Sequence, residues 1–75
     1  MFNSLQSIFR NVFDDPSMQI APDLSVTSFP EWDSVAMLEI VLSVEAEFDL
    51  RLTTEDIASI RSVADILRLL EMHRN

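Results

Sequence analysis

Few residues in this 75-residue chain could do chemistry of their own. There is one histidine, His73, and there is neither cysteine nor glycine. Without cysteine there is no thiolate nucleophile, no disulfide and no cysteine-ligated metal. Without glycine there is no phosphate-cradling loop of the P-loop kind. His73 reads as a surface residue near the end of the last helix, and no nucleophile with an adjacent base can be assembled around it. The acids from Asp49 onward lack the turn glycine and the terminal glutamate that a calcium loop needs. The sequence therefore offers no catalytic residue and no metal site. What remains is a hydroxyl. Ser34 stands between Asp33 and Val35, where a loop runs into a long apolar segment. A helix starting there would present N–H groups lacking intrahelical acceptors, and the positive end of its dipole, both favourable to a nearby phosphate. The ordinary role of an Asp-Ser pair before an apolar run is an N-cap, so the surroundings must decide.

Four helical segments would position that serine. The first spans about Asn3 to Phe13, with Leu5, Ile8, Phe9, Val12 and Phe13 recurring on one buried face. Asp14-Asp15-Pro16 stops it, since proline disfavours a helical conformation in the residue before it. Residues 15–33 form an unusually long connection. Its apolar members Met18, Ile20, Leu24, Val26 and Phe29 should pin it to the core, and Trp32 should anchor its end. The second helix runs from Ser34 to about Phe48, with Asp33 and Ser34 both suited to cap it. Val35, Met37, Leu38, Ile40, Val41, Leu42, Val44 and Phe48 make its apolar content nearly continuous. Glu39, Ser43 and Glu47 leave one solvent stripe, with Glu45 beside it, so this helix is expected to be the most buried. Asp49 takes the place where a left-handed glycine often ends a helix. A short third helix starts at Thr53 or Thr54, with Thr53 and Asp56 as a capping box and Ile57 and Ile60 facing inward. Ser62 caps the last helix, with Asp65 in the reciprocal position and Val63, Ile66, Leu67 and Leu70 buried. Arg68, His73 and Arg74 suit its C-terminal dipole. No alternating strand pattern appears. The expected fold is all-α: a single domain over residues 1–75.

Thirteen acids oppose five arginines, with no lysine, giving a net charge of −8. Such a chain should repel nucleic acid and anionic membranes and attract basic protein surfaces. No stretch has the length of apolar sequence a membrane span needs, and the opening residues do not have the pattern of a signal peptide. A cytoplasmic location is the expectation.

The stretch EWDSVAMLEIVLSVEAEFDL, residues 31–50, resembles the acyl carrier protein family. In that family an Asp-Ser-Leu triplet opens the second helix, and its serine carries phosphopantetheine. The triplet here is Asp33-Ser34-Val35. The family's glutamate five residues past the serine corresponds to Glu39, its later acidic cluster to Glu45 and Glu47, and its Phe-Asp pair to Phe48-Asp49. Residues 53–70, TTEDIASIRSVADILRLL, are similar to the family's short third helix and its fourth. The chain departs from the pattern at Trp32, where a glycine is usual, at Val35, and at Ala36 and Ala46, where acids are common. These departures bear on partner choice more than on the modification. The Trp-Asp-Ser start is similar to that of stand-alone carriers from specialised pathways.

The resemblance implies a free-standing four-helix carrier with a short third helix and a long loop between helices one and two. It implies a phosphopantetheine arm, taken from coenzyme A by a phosphopantetheinyl transferase, on Ser34. Asp33 would be a recognition element for that transferase and its magnesium. The arm's thiol would carry acyl groups in fatty acid, polyketide or related specialised biosynthesis. Glu39, Glu45, Glu47 and Val35 would meet the basic docking surfaces of loading, transferring and condensing enzymes. Ile40, Val41, Val44, Leu52, Ile57, Ile60 and Ile66 would part to admit an acyl chain, although an ordinary packed core describes the unloaded protein. The chain would serve as a substrate of its partner enzymes, and a monomer suits that role. Two other readings are a carrier of amino acids or peptides in non-ribosomal synthesis, and an unmodified acidic helical adaptor.

Overall fold

The computed structural model describes residues 1–73. It contains four helices, α1 (Phe2–Val12), α2 (Ser34–Phe48), α3 (Thr54–Ala58) and α4 (Val63–Met72). The described residues include no strand; one isolated antiparallel bridge joins Ser25 to Ser62. No described helix is long and apolar enough to cross a membrane.

One core runs through the molecule. α1 contributes Leu5, Ile8 and Phe9, the long loop Ile20 and Trp32, α2 Ala36, Ile40, Val41 and Val44, and α4 Val63, Ile66, Leu69 and Leu70. Ile60 enters from the junction of α3 and α4. The inner face of α4 is thus Leu69 with Leu70, while Leu67, expected inside, is only partly buried. α3 itself has no fully buried residue, which makes it the helix most weakly tied to the core.

α2 departs most from its sequence reading. It is not enclosed on all sides but one: Val35, Leu38 and Leu42 are 67%, 58% and 57% exposed. At spacings of three and four residues they form one stripe along the helix. An apolar run with no clear periodicity does not tell inside from outside; the neighbours that arrive on one flank do.

Helix ends use local chemistry. α1 stops because Asp14 adopts a left-handed conformation (φ 52°), and the Asp15 amide returns to the Arg10 carbonyl at 2.9 Å, before Pro16 is reached. Asp49 ends α2 in the same conformation, at φ 53° and ψ 56°. Both positions would suit glycine, and acids serve because aspartate tolerates this region better than most residues. Thr53 and Asp56 form a complete capping box. At α4, Ser62 Oγ accepts from the Asp65 amide at 3.3 Å, but Asp65 reaches one residue past the reciprocal position, taking the Arg61 amide at 2.8 Å. Arg68 pairs with Asp65 at 2.9 Å. Arg74 lies outside the described residues.

The long loop is tied down along its length. The Gln6 Oε1 atom of α1 accepts the Ile20 amide at 2.9 Å, and Arg10 Nε donates to the Met18 carbonyl at 2.6 Å. Further on, the loop caps α4: the amides of Val63 and Ala64 donate to the carbonyls of Leu24 and Pro22 at 2.9 and 3.0 Å. These are N–H groups that a helix cannot satisfy internally. The aromatic rings of Phe29, Phe13, Phe9 and Trp32 then form a chain of contacts, with centroids 4.8, 5.9 and 5.2 Å apart in that order. This chain holds the end of the loop against α1 and so sets where in the fold the start of α2 lies.

Candidate functional site

The loop delivers Trp32 into the core, 3% exposed, and leaves Asp33 and Ser34 at the surface. Asp33 is extended (φ −99°, ψ −169°), and its Oδ1 accepts the Ala36 amide at 2.9 Å. Asp33 is therefore the N-cap. Ser34 is the first residue of α2, exposed, and among the described residues no hydrogen bond engages its hydroxyl. The capping role that would otherwise explain this serine belongs to its neighbour.

The surrounding amides add to the argument. In a helix the first amides have no internal acceptor. The cap carboxylate takes that of Ala36, which leaves those of Ser34 and Val35 pointing along the helix axis toward any anion bound at the serine. The dipole of α2, fifteen residues long, reinforces the attraction. A phosphodiester on Ser34 Oγ fits this end of the helix. Asp33 opposes it as an adjacent negative charge, partly offset because its Oδ1 is bound at the cap.

Downstream, Glu39 and Glu47 are exposed on α2, with Val35, Leu38 and Leu42 alongside. Glu45 differs: it is half-buried, and its Oε2 accepts the Leu52 amide at 2.9 Å. With the Glu45 carbonyl accepting the Leu50 amide at 3.2 Å, this residue ties the loop after α2 to the helix. The sequence reading did not foresee that role, because the partner lies in a loop without periodic signal. Leu38 and Leu42 were also missed as surface residues. A groove of about 340 Å³ lined by Asn11, Val12, Glu39, Leu42 and Ser43 runs beside them between α1 and α2.

Of the residues expected to flank an acyl chain, Ile40, Val41, Val44, Ile60 and Ile66 are buried, and Leu52 and Ile57 pack against them from the surface side. An apolar cleft of about 220 Å³ lies at the far end of α2 from Ser34, lined by Met1, Phe48, Leu50, Leu70 and His73.

Two carboxyls are held below the ordinary carboxylate range. For Asp56 the main cause is the Thr53 amide of the capping box, helped by the Thr53 hydroxyl and by His73, whose Nε2 lies 3.4 Å away. For Asp65 it is the Arg61 amide, helped by Arg68. Both belong to helix ends rather than to the neighbourhood of Ser34.

No protein-family model matches the chain. In sequence it is 26% identical over 65 residues to an acyl carrier protein of Acidothermus cellulolyticus, a match spanning 87% of this chain and 77% of that protein. In structure it superimposes on the holo acyl carrier protein of Geobacter metallireducens with a TM-score of 0.83 and 23% identity, covering 99% of this chain and 93% of the other. The four-helix fold is thus that of an acyl carrier protein.

Proposed function

We propose that this chain, similar to acyl carrier proteins in both sequence and fold, is itself a carrier of acyl groups, with the phosphopantetheine arm attached at Ser34. The observation that carries this reading is the division of labour at the start of α2: Asp33 caps the helix and Ser34 stands exposed with its hydroxyl unengaged. A serine there has no structural task in the fold. Its Oγ would attack the phosphorus of coenzyme A nearer the pantetheine. The pyrophosphate bond would break, adenosine 3′,5′-bisphosphate would leave, and the hydroxyl proton would pass to a base of the transferase. The bound arm supplies a thiol, which the chain lacks, for thioester formation. The acyl cargo would belong to fatty acid, polyketide or related specialised biosynthesis.

The chain's own residues supply recognition. Asp33 offers a carboxylate beside the acceptor hydroxyl for the transferase and its magnesium. Glu39 and Glu47 offer exposed negative charge on the same helix, and the stripe of Val35, Leu38 and Leu42 offers apolar contact between and beside them. A partner with arginines or lysines around an apolar patch fits this face. Such charges mainly steer encounter and weaken with salt, which suits a protein that must leave each enzyme after each step. Glu45 contributes negative charge while committed through one oxygen to Leu52. Cargo would enter among Ile40, Val41, Val44, Leu52, Ile57, Ile60 and Ile66 by displacement of α3.

Co-expression with a broad-specificity transferase, followed by intact mass, tests the proposal. The wild type should gain one phosphopantetheine and Ser34→Ala none. A wild type that stays unmodified, or a Ser34→Ala variant that gains as much, would leave an acidic helical adaptor instead. Loading the holo protein with malonyl or fatty acyl groups against amino acids separates an acyl carrier from an aminoacyl one.

A further inference from the structure

Trp32 contains a buried polar atom to which the structure gives no hydrogen-bond partner. Among the described residues its Nε1 is the one buried side-chain nitrogen or oxygen that finds no hydrogen-bond partner in the protein. An unpaired buried donor costs free energy, and native proteins seldom keep one without a reason. Phenylalanine would keep much of the apolar contact, including the perpendicular packing against Phe9, without that cost. The position is also telling. One extended residue, Asp33, separates Trp32 from Ser34, so their Cα atoms are about 7 Å apart. The unsatisfied donor therefore belongs to the residue that anchors the attachment site.

We infer that the indole N–H of Trp32 is a binding element for a carbonyl oxygen of the arm or its cargo, an inference that rests on Ser34 carrying the arm. The arm contains amide carbonyls and the loaded form adds a thioester carbonyl. Both are acceptors without a competing charge, suited to a neutral donor in an apolar setting. Because the indole nitrogen is sealed in this conformation, engagement requires the arm or cargo to fold back beneath the start of α2 rather than extend into solvent. Trp32 would then distinguish a sequestered cargo from an extended one. It would favour cargo whose carbonyl reaches the indole, and it would act in holding, with no part in the transfer chemistry.

Trp32 is the only tryptophan in the chain, so its indole N–H gives a single, assignable NMR resonance. The apo protein, the holo protein made with coenzyme A and an acyl form made with octanoyl-coenzyme A should be compared after intact mass has verified each. A downfield shift with slowed exchange in the holo form assigns the acceptor to the arm; the same change appearing only in the octanoyl form assigns it to the thioester. In parallel, acylation should raise Tm, and Trp32→Phe should show a few degrees less of that rise, the scale of one net hydrogen bond in a domain this small. The increment between forms is the readout, since the smaller ring alters the baseline of all three alike. An indole resonance that stays in place through all three forms overturns the inference, whether the N–H rests against Phe9 or on an ordered water. So does a full Tm increment in Trp32→Phe. If intact mass shows no arm on Ser34, the carrier reading has failed and this inference falls with it; if the arm is present and the indole is unmoved, only the inference fails.

Discussion

Asp33 is asked to do two things, and two substitutions separate them. Its Oδ1 accepts the Ala36 amide at 2.9 Å and caps the fifteen residues of α2. Its charge is the feature expected to matter to the transferase. Asp33→Ala removes both. Loss of a side-chain cap costs about 1 kcal/mol, which in a domain of this size lowers Tm by about 4–8 °C. Asp33→Asn keeps an acceptor oxygen, and asparagine caps about as well as aspartate. It forfeits the favourable meeting of a negative charge with the helix dipole, about 0.3–1 kcal/mol at an exposed site, so its Tm should fall by a smaller amount. In modification rate the two should behave alike. A hydrogen bond to a charged group contributes about 1.5–3 kcal/mol, so losing one such contact with the transferase complex slows arm transfer about 10- to 160-fold. Thermal melts of the apo proteins and initial rates from intact mass, at substrate well below saturation, read the two effects independently. If Asp33→Asn were modified at the wild-type rate, the residue would matter only as a cap. If Asp33→Ala melted with the wild type, the cap would contribute nothing and the account of how α2 starts would be wrong.

Other outcomes follow from the same geometry. Ile40→Ala, in the buried row of α2, should cost about 2–5 kcal/mol, whereas Leu42→Ala on the exposed stripe should stay within about 0.5 kcal/mol while weakening partner transfer; urea melts and an acyl-transfer assay distinguish them. Asp49→Gly should raise stability by up to about 1 kcal/mol, because it relieves a left-handed residue bearing a side chain, offset in part by the freer unfolded chain. The lowered carboxyls make a signed prediction about acid. Folding favours the ionised forms of Asp56 and Asp65, so their contribution is complete above the ordinary aspartate value of 3.8 and is lost as pH falls through the lower values they have in the fold. Stability should therefore decline on acidification through and below 3.8, and an Asp56→Asn, Asp65→Asn double variant should decline less steeply over that window, as followed by Tm against pH.

The local features were legible in the sequence. The four helices, the Thr53–Asp56 capping box and left-handed Asp49 all follow from residues within a turn or two of one another. So does the start of α2 at Ser34, because backbone geometry and capping are decided over that range. Trp32 and the apolar residues of the long loop were readable as anchors, since large apolar side chains in an otherwise polar connection have few alternatives to burial.

Tertiary structure decided everything that depends on which neighbour arrives. It chose which aliphatics of α2 lie inside, turning Val35, Leu38 and Leu42 outward although their chemistry matches that of Ile40, Val41 and Val44. It placed Leu69 rather than Leu67 on the inner face of α4. It engaged Gln6, Arg10 and Glu45 with backbone groups of the loops that follow their helices, and it used loop carbonyls at Pro22 and Leu24 to cap α4. It also placed the start of α2 within the fold, because the aromatic contacts among Phe29, Phe13, Phe9 and Trp32 hold the end of the long loop against α1. A side chain's type and spacing specify what it can do; the partner brought to it by long-range packing specifies which of those things it does.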